Sequence, residues 1–175
     1  MSLKNAKVLV LDAGFAQVPS NGKLNNSLAE EAAKYLQSKG HEVKITHMPQ
    51  GYKAEEEVEK FNWADVIFFQ TPVWNMSLPW PAKQYFDAVL GLYNMQKDKK
   101  PGKHVIMSGT FGTPEAALNS FHADGAEQVW WTVTTCFKFA GIEKFPSVSF
   151  CNVMGGVDFN AFSQKLHEHL DKYLQ

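Results

Sequence analysis

Short apolar runs alternate along this chain with longer segments in which apolar residues recur every three or four positions. Uninterrupted runs such as residues 66–69 indicate strands buried on both faces of a sheet, whereas residues 41–46 have apolar residues at alternate positions. The longer segments indicate amphipathic helices. These patterns predict five strands, over residues 7–11, 41–46, 65–71, 104–108 and 147–150. They also predict five helices, over residues 27–39, 55–62, 82–92, 127–139 and 159–174. Asn25 or Asn26 is expected to cap the first helix.

The predicted strands and helices alternate, with no block of consecutive strands. Such alternation is typical of an α/β fold in which helices cover both faces of a parallel sheet. Five strands in 175 residues fit one domain, residues 1–175, with the flavodoxin-like doubly wound strand order 2-1-3-4-5. Ligands of such sheets bind beyond the carboxyl ends of strands one, three and four. We therefore expect the loops 12–26, 72–80 and 109–114 to converge.

Composition and charge exclude several classes of protein. Hydrophobic residues make up 45% of the chain and charged residues 20%, which indicates a packed core and not a disordered chain. The net charge of −1 argues against a nucleic-acid partner, which calls for a clustered basic face. No apolar run approaches the roughly 18 residues of a membrane span, and the N-terminal apolar stretch is too short for a signal peptide. We expect a cytoplasmic protein without a transmembrane segment.

The cysteines and paired histidines do not suggest a metal site. Cys136 and Cys151 form neither a Cys-x-x-Cys pair nor a metal-ligand spacing, so the simplest interpretation is two buried thiols in a reducing compartment. His167 and His169 lie two positions apart on a predicted helix and point to different faces, so we expect them at the surface. We predict no bound metal.

The second loop is the most distinctive segment of the chain. The apolar run 66–69 ends at Pro72, which removes a backbone donor, and a stiff loop rich in proline and tryptophan follows. Such a loop can offer backbone N–H groups to the polar edge of a flat ring and an indole to its face. The predicted binding residues are Pro72, Val73, Trp74, Asn75 and Met76. The alternative is that Trp74 and Trp80 are core or interface aromatics, which is their commoner role.

The first and third loops have features that favour phosphate and ring binding. The first runs into a helix, whose N-terminus offers unpaired N–H groups and positive dipole charge. Its candidate residues are Ser20, Asn21, Gly22, Lys23, Leu24, Asn25 and Ser27. The third combines hydroxyls, an aromatic residue and a glycine, in Thr110, Phe111, Gly112 and Thr113. An ordinary capped helix and a simple tight turn are the alternatives, because neither loop contains a Gly-x-Gly-x-x-Gly, a Walker or a flavodoxin phosphate motif.

With these residues the chain resembles the flavodoxin-like NAD(P)H:quinone oxidoreductases, particularly the bacterial modulator of drug activity B group. The similarity extends over nearly the whole chain and is most specific at residues 20–25, 61–66 and 72–80. The resemblance implies FAD as the cofactor, with FMN as the alternative, NADPH or NADH as the reductant and a quinone as the acceptor. It also implies that residues 20–27 hold the phosphates, residues 73–76 the isoalloxazine ring and residues 110–113 its far edge. The family is usually homodimeric, with the flavin pocket completed across the interface.

Two positions depart from the family pattern. The family often has a second tryptophan where Asn75 stands, so we expect a more polar pocket wall, and the segment 90–103 is shorter than in the bacterial relatives. The expected reaction is a two-electron, ping-pong transfer of hydride from nicotinamide through the flavin to a quinone. His122 is the candidate proton donor, although a lone histidine is more often structural. Two alternatives stay open: a flavin-bearing ancillary subunit of a potassium efflux system, and a flavodoxin-type electron carrier.

Overall fold

The computed structural model describes residues 2–175, in which strands and helices alternate as predicted up to β4. The strands are β1 (Lys7–Asp12), β2 (Glu42–His47), β3 (Val66–Pro72), β4 (Lys103–Thr110), β5 (Ile142–Lys144) and β6 (Val148–Phe150). The α-helices are α1 (Lys23–Ser38), α2 (Ala54–Trp63), α3 (Trp80–Asn94), α4 (Glu115–Phe121), α5 (Trp131–Phe139) and α6 (Phe159–Leu170). Short 3-10 segments at Met48–Gln50 and Gly125–Trp130 precede α2 and α5.

The strands form one parallel sheet in the order β2-β1-β3-β4-β5, which confirms the predicted flavodoxin-like topology. The predicted fifth strand, residues 147–150, corresponds to β6, and β5 is an additional short strand that the sequence did not predict. β5 pairs with Lys103–Val105 of β4, and β6 pairs with Ser108–Thr110 further along the same strand. Pro146 lies between the two segments and has no N–H to donate, so the ladder is interrupted there.

The central strands are buried on both faces, and helices cover each face. Val66, Ile67, Phe68 and Phe69 of β3 are completely buried, as their unbroken apolar run predicts. Because successive strand residues point to opposite faces, Ile67 and Phe69 pack towards α2, α3 and α5, whereas Val66 and Phe68 pack towards α1 and α6. The two resulting cores hold the carboxyl ends of the strands in a fixed arrangement.

Helix α1 begins four residues earlier than predicted. Asn25 and Asn26 lie inside the helix, so the prediction that either caps it is wrong. The N-cap position is Gly22, whose φ of 76° lies in the left-handed region. A Cβ there would lie 2.7 Å from the backbone of Phe15, so the helix start requires glycine at this position.

Two other helical boundaries differ from the sequence prediction. The segment predicted as one helix over 127–139 begins as a 3-10 turn that ends at Trp130, and the preceding helix α4 was not predicted. The indole of Trp130 packs against β4, where a Cβ on Gly109 would lie 2.4 Å from the ring. The last helix ends at Leu170 instead of residue 174.

The predicted environments of the cysteines and histidines are partly wrong. Cys136, on α5, is exposed, and Cys151 is partly buried; both thiols are free. His167 is partly buried and stacks on Tyr35 with ring centroids 3.7 Å apart. His169 is also partly buried and contacts the carbonyl oxygen of Pro146 through Nε2, at 2.8 Å. These histidines therefore join α6 to neighbouring segments instead of lying free at the surface.

Candidate functional site

A cleft of about 420 Å³ lies at the carboxyl ends of the central strands. Its volume falls within the range of small-molecule sites. The three loops predicted to converge do so here, and a fourth loop, after β6, joins them. The lining residues are Pro19, Ser20, Asn21, Leu24, Asn25, Pro72, Val73, Trp74, Asn75, Thr110, Gly112, Val153, Met154 and Val157.

The remaining residues predicted to bind a cofactor lie outside the lining. Gly22 is buried beneath the start of α1, and Lys23 and Ser27 are exposed on that helix. Phe111 is buried and packs edge-on against Trp130. Met76 is exposed at the tip of its turn, and the carbonyl group of Thr113 accepts a hydrogen bond from the N–H group of Asn152. The structure thus brings together ten of the predicted residues and separates these six.

Sequence reasoning missed the fourth wall of the cleft. Val153, Met154 and Val157 follow β6, and Met154 is 77% exposed. The sulfur atom of Met154 would lie 3.1 Å from a Cβ on Gly112, so the loops after β4 and β6 meet closely. The available signal was a group of apolar residues in a loop that contains Gly155 and Gly156 directly after a predicted strand.

The Trp74–Ser77 segment forms a tight turn that presents free donors. The backbone groups of Trp74 and Ser77 exchange two hydrogen bonds of 3.0 Å, and the two residues between them have positive φ values, 49° at Asn75 and 58° at Met76. These values are typical of a type I′ turn, which usually carries glycine. Within residues 2–175, the N–H groups of Asn75 and Met76 have no hydrogen-bond acceptor, and neither has the buried Nε1 of Trp74. The turn therefore offers unpaired donors beside an indole ring.

The N-terminus of α1 offers a second set of donors. The side chains of Ser20 and Asn21 accept hydrogen bonds from the N–H groups of Gly22 and Lys23, at 3.2 and 3.1 Å. The N–H groups of Leu24 and Asn25 find no acceptor in the described part of the chain. Together with the positive end of the helix dipole, these groups can hold an anion such as phosphate.

A chain of buried polar side chains connects α1, β3 and β4 beneath the cleft. Ser108 donates to Gln70 at 2.6 Å, Gln70 donates to Asn25 at 2.8 Å, and Asn25 donates to Thr110 at 2.9 Å. None of the four is more than 4% exposed. Asn25 therefore uses its amide inside the protein, although the sequence predicted that this amide binds phosphate directly.

A second buried group fixes the loop that follows β1. The carboxylate of Asp12 accepts a hydrogen bond from the N–H of Gly14 at 2.8 Å and lies 2.9 Å from Nδ1 of His47. Burial raises the pKa of Asp12, and the bonds to Gly14 and His47 oppose this effect without cancelling it. With its amide nitrogen facing Asp12, Asn26 donates to this carboxylate and to the carbonyl oxygen of Gly14.

His122 lies away from the cleft lining. It follows the last residue of α4, its side chain is 46% exposed, and its Nδ1 accepts a hydrogen bond from the N–H of Asp124 at 3.1 Å. Over residues 2–175, no helix is both long and apolar enough to cross a membrane. The same residues contain no cluster of three or more His, Cys, Asp or Glu side chains that could hold a metal ion.

Comparison with known proteins agrees with this architecture. A family model, Flavodoxin_2, described as a flavodoxin-like fold, matches residues 6–175. The chain belongs to this family. The family resemblance inferred from residues 20–25 and 72–80 is thereby confirmed.

Individual relatives of this Flavodoxin_2 member are named as quinone oxidoreductases. The chain is 28% identical to the NADPH:quinone oxidoreductase MdaB of Haemophilus influenzae, over 94% of this chain and 97% of the relative. It is 31% identical to an FMN-dependent NADH:quinone oxidoreductase of Nitratidesulfovibrio vulgaris, over 58% of this chain and 46% of that protein. A crystal structure of a putative quinone reductase from Klebsiella pneumoniae covers 95% of this chain and 84% of its own, with a TM-score of 0.77 and 22% identity. At this identity the structural match establishes the fold.

Proposed function

We propose that this protein is a flavin-dependent NAD(P)H:quinone oxidoreductase and that the cleft holds the flavin. The observation that carries the proposal is the pairing, in one cleft, of free N–H groups at the α1 N-terminus with the Trp74–Ser77 turn. A flavin nucleotide needs both, because it joins a phosphate to a flat ring with a polar edge. The Haemophilus relative, which aligns along nearly its whole length, supports the same activity.

The residues of the cleft have the hydrogen-bond donors and the aromatic ring that a flavin nucleotide requires. Residues 20–25 would hold the phosphate through backbone and hydroxyl donors, and the Trp74–Ser77 turn would contact the ring. The buried Nε1 of Trp74, which has no partner within residues 2–175, is a donor that a bound ring could satisfy. When bound, a flavin supplies reversible two-electron redox chemistry. The N–H groups of Asn75 and Met76 would then stabilise negative charge that develops on the ring.

We propose FAD as the flavin, with FMN as the alternative. An aromatic surface extends the cleft: the ring of Phe15 lies 6.4 Å from that of Trp74 and 6.2 Å from that of Trp80. Such a surface suits the additional base of a dinucleotide. FMN is kept because the Nitratidesulfovibrio relative depends on it. Releasing the flavin from purified protein and separating it by chromatography would distinguish the two.

A second copy of the chain is the proposed partner, so that the protein acts as a homodimer. A groove of about 570 Å³ between α3 and α5 has a mainly apolar surface, to which Phe86, Leu90 and Phe139 contribute. Phe139 is 81% exposed, and Trp131 on the same helix is 65% exposed. The groove also includes Ser77, so a copy seated there would adjoin the cleft. Phe139→Glu should dissociate the dimer, which sedimentation velocity would measure; a monomeric wild-type protein would contradict this proposal.

We propose NADPH as the reductant, following the Haemophilus relative, with NADH as the alternative, following the Nitratidesulfovibrio relative. We propose the cytoplasm as the compartment, because both cysteines are free thiols. Nicotinamide and quinone would occupy the same place in turn, which predicts ping-pong kinetics.

His122 remains the proton donor expected from the sequence. Its position outside the cleft lining makes His122→Gln the direct test, since an unchanged kcat would remove it from the mechanism.

The central experiment examines purified protein for a flavin absorption spectrum and for NADPH oxidation with and without menadione. Trp74→Ala combined with Asn75→Ala should reduce retained flavin by about tenfold or more, since both ring contact and turn geometry are lost. Trp63→Ala, a partly buried tryptophan on α2 outside the cleft, is the matched control and should retain its flavin. Colourless protein that ignores added flavin would overturn the proposal. Bound flavin with negligible quinone turnover would favour the ancillary-subunit alternative.

A further inference from the structure

We infer that Gln70, which does not line the cleft, is a positioning residue that makes the hydroxyl of Thr110 a hydrogen-bond donor to the ligand in the cleft. The inference rests on the proposed function, because it assumes that the ligand is a flavin. It assigns a role to the buried polar chain that joins α1, β3 and β4.

The hydrogen bonds of this group of buried polar side chains all run in one direction, from Ser108 to the cleft. The hydroxyl of Ser108 donates to Oε1 of Gln70 at 2.6 Å, and Nε2 of Gln70 donates to Oδ1 of Asn25 at 2.8 Å. Nδ2 of Asn25 then donates to Oγ1 of Thr110 at 2.9 Å. Ser108 and Gln70 are completely buried, whereas Asn25 and Thr110 line the cleft. The orientation of the Gln70 amide therefore determines the orientation of the Asn25 amide.

This direction decides what the Thr110 hydroxyl can do. Its oxygen already accepts a hydrogen bond from Nδ2 of Asn25, so its own hydrogen must point elsewhere. The nearest acceptor inside the protein, Oδ1 of Asn25, lies 3.3 Å away and already accepts from Gln70. That distance exceeds the roughly 2.5–3.0 Å of a normal O–H···O bond. The hydroxyl hydrogen of Thr110 is therefore available to an acceptor atom of a ligand.

Removing Gln70 should reverse this arrangement. In Gln70→Leu, Oδ1 of Asn25 loses its donor and becomes a buried acceptor without a partner, which is costly. The Thr110 hydroxyl is the nearest group that can satisfy it, after a small rotation of the amide. The hydroxyl would then donate to Asn25 and no longer to the ligand, although no residue of the cleft lining has been changed.

The test measures the affinity of the apoprotein for FMN and for FAD by quenching of flavin fluorescence. Thr110→Val should weaken binding about tenfold, the effect of one lost hydrogen bond in a buried site, whereas Thr110→Ser should keep wild-type affinity. Gln70→Leu should weaken binding to a similar extent. In the double variant Gln70→Leu/Thr110→Val the affinity should fall no further than in Thr110→Val alone, because both changes remove the same donor.

Controls separate this role from a general loss of stability. Thr46→Val removes another buried hydroxyl, which donates to Glu57 at 2.9 Å on the other side of the sheet. It should lower the melting temperature and leave flavin affinity within about twofold of wild type. Should Gln70→Leu not fold, Ser108→Ala tests the same chain from its buried end and should weaken binding about threefold, again without further loss in the Thr110→Val background.

The outcomes distinguish this inference from the proposed function. Wild-type protein that binds flavin while Gln70→Leu binds it equally well would overturn the inference alone. Additive losses in the double variant would also overturn it, because Gln70 would then act independently of Thr110. Wild-type protein that binds neither FMN nor FAD would overturn both.

Discussion

The two edges of the parallel sheet treat their polar groups in opposite ways. At the amino edge, the carboxylate of Asp65 accepts the N–H of Lys7 at 2.9 Å and forms an ion pair with Lys100. The ammonium group of Lys103 donates to the carbonyl oxygens of Asn62 and Ala64. At the carboxyl edge, backbone donors at the start of α1 and in the Trp74–Ser77 turn have no acceptor within residues 2–175.

The difference indicates that the amino edge of the sheet contributes mainly to stability and the carboxyl edge mainly to ligand binding. Charged side chains at the amino edge satisfy the ends of strands and of α2, so that edge is closed. At the carboxyl edge, buried amides and hydroxyls hold the loops in place and leave the outermost donors for a ligand. Changes at the amino edge should therefore alter stability, whereas changes to the cleft lining should alter ligand affinity.

Gly22→Ala should have the largest effect on stability and should disrupt the start of α1 at the carboxyl edge of the sheet. Alanine would need a left-handed backbone and would also meet the backbone of Phe15, so we expect a loss of about 3 kcal/mol in the free energy of unfolding, together with loss of bound flavin. Gly141→Ala is the matched control, because Gly141 has a similar φ of 79° with nothing within 4 Å of the added Cβ. It should cost only about 1 kcal/mol and retain flavin. Urea denaturation measures both; equal losses would contradict the steric argument.

Lys103→Met should change stability without changing flavin affinity. Burial, together with repulsion from Lys100, lowers the pKa of Lys103 to about 8, whereas Asp65 acts in the opposite direction. Between pH 8 and the ordinary value of 10.5 the unfolded chain holds a proton that the folded chain has released. The wild-type free energy of unfolding should therefore rise with pH in this window, relative to the variant.

At pH 9.5, where the Lys103 amine is largely neutral and can still donate, the Lys103→Met variant should be about 1 kcal/mol less stable than wild type, because two carbonyl oxygens lose their donor; the difference should be smaller at pH 7. Thermal and urea unfolding from pH 7 to 9.5 would measure both effects. Parallel pH profiles of the two proteins, or flavin affinity that falls in the variant, would contradict the division of roles between the edges.

Ser27→Ala should have the smallest effect on flavin affinity and tests where the binding site ends along α1. The sequence predicted a phosphate ligand at Ser27, but the structure leaves this side chain exposed on α1 and outside the lining. We expect the flavin dissociation constant to change less than twofold, compared with a larger increase for Asn21→Ala, whose side chain lies in the cleft and accepts the N–H of Lys23. Equal effects of the two substitutions on the dissociation constant would indicate that the binding site continues along α1 as far as Ser27.

The sequence predicted the centre of the sheet well because β1 and β3 are nearly continuous apolar runs. The continuous apolar run Val66–Phe69 predicts a strand covered on both faces of the sheet, and all four residues are buried in the structure. The start of α1 was less predictable, since Asn25 and Asn26 have the chemistry of capping residues. The deciding feature is the left-handed backbone at Gly22, which depends on the position of Phe15.

The candidate site was predicted only as far as local sequence could show it. Trp74 and Asn75 are conspicuous in a loop between prolines, and they line the cleft. The bond between Asn25 and Thr110 joins residues 85 positions apart and depends on strand order as well as residue type. The wall at Met154 was missed because only the loops after strands one, three and four were expected to converge. The pairing of β6 with Ser108–Thr110 of β4 places the loop after β6 beside Gly112.

The contact between Trp130 and β4 has a consequence for how related sequences can vary. Gly109 separates two members of the buried polar chain, Ser108 and Thr110, and the indole occupies the space that any side chain at position 109 would need. The requirement for glycine there arises from the bulk of a residue 21 positions later and not from the local backbone conformation. Positions 109 and 130 should therefore covary across the family, with a larger residue at the first accompanied by a smaller one at the second.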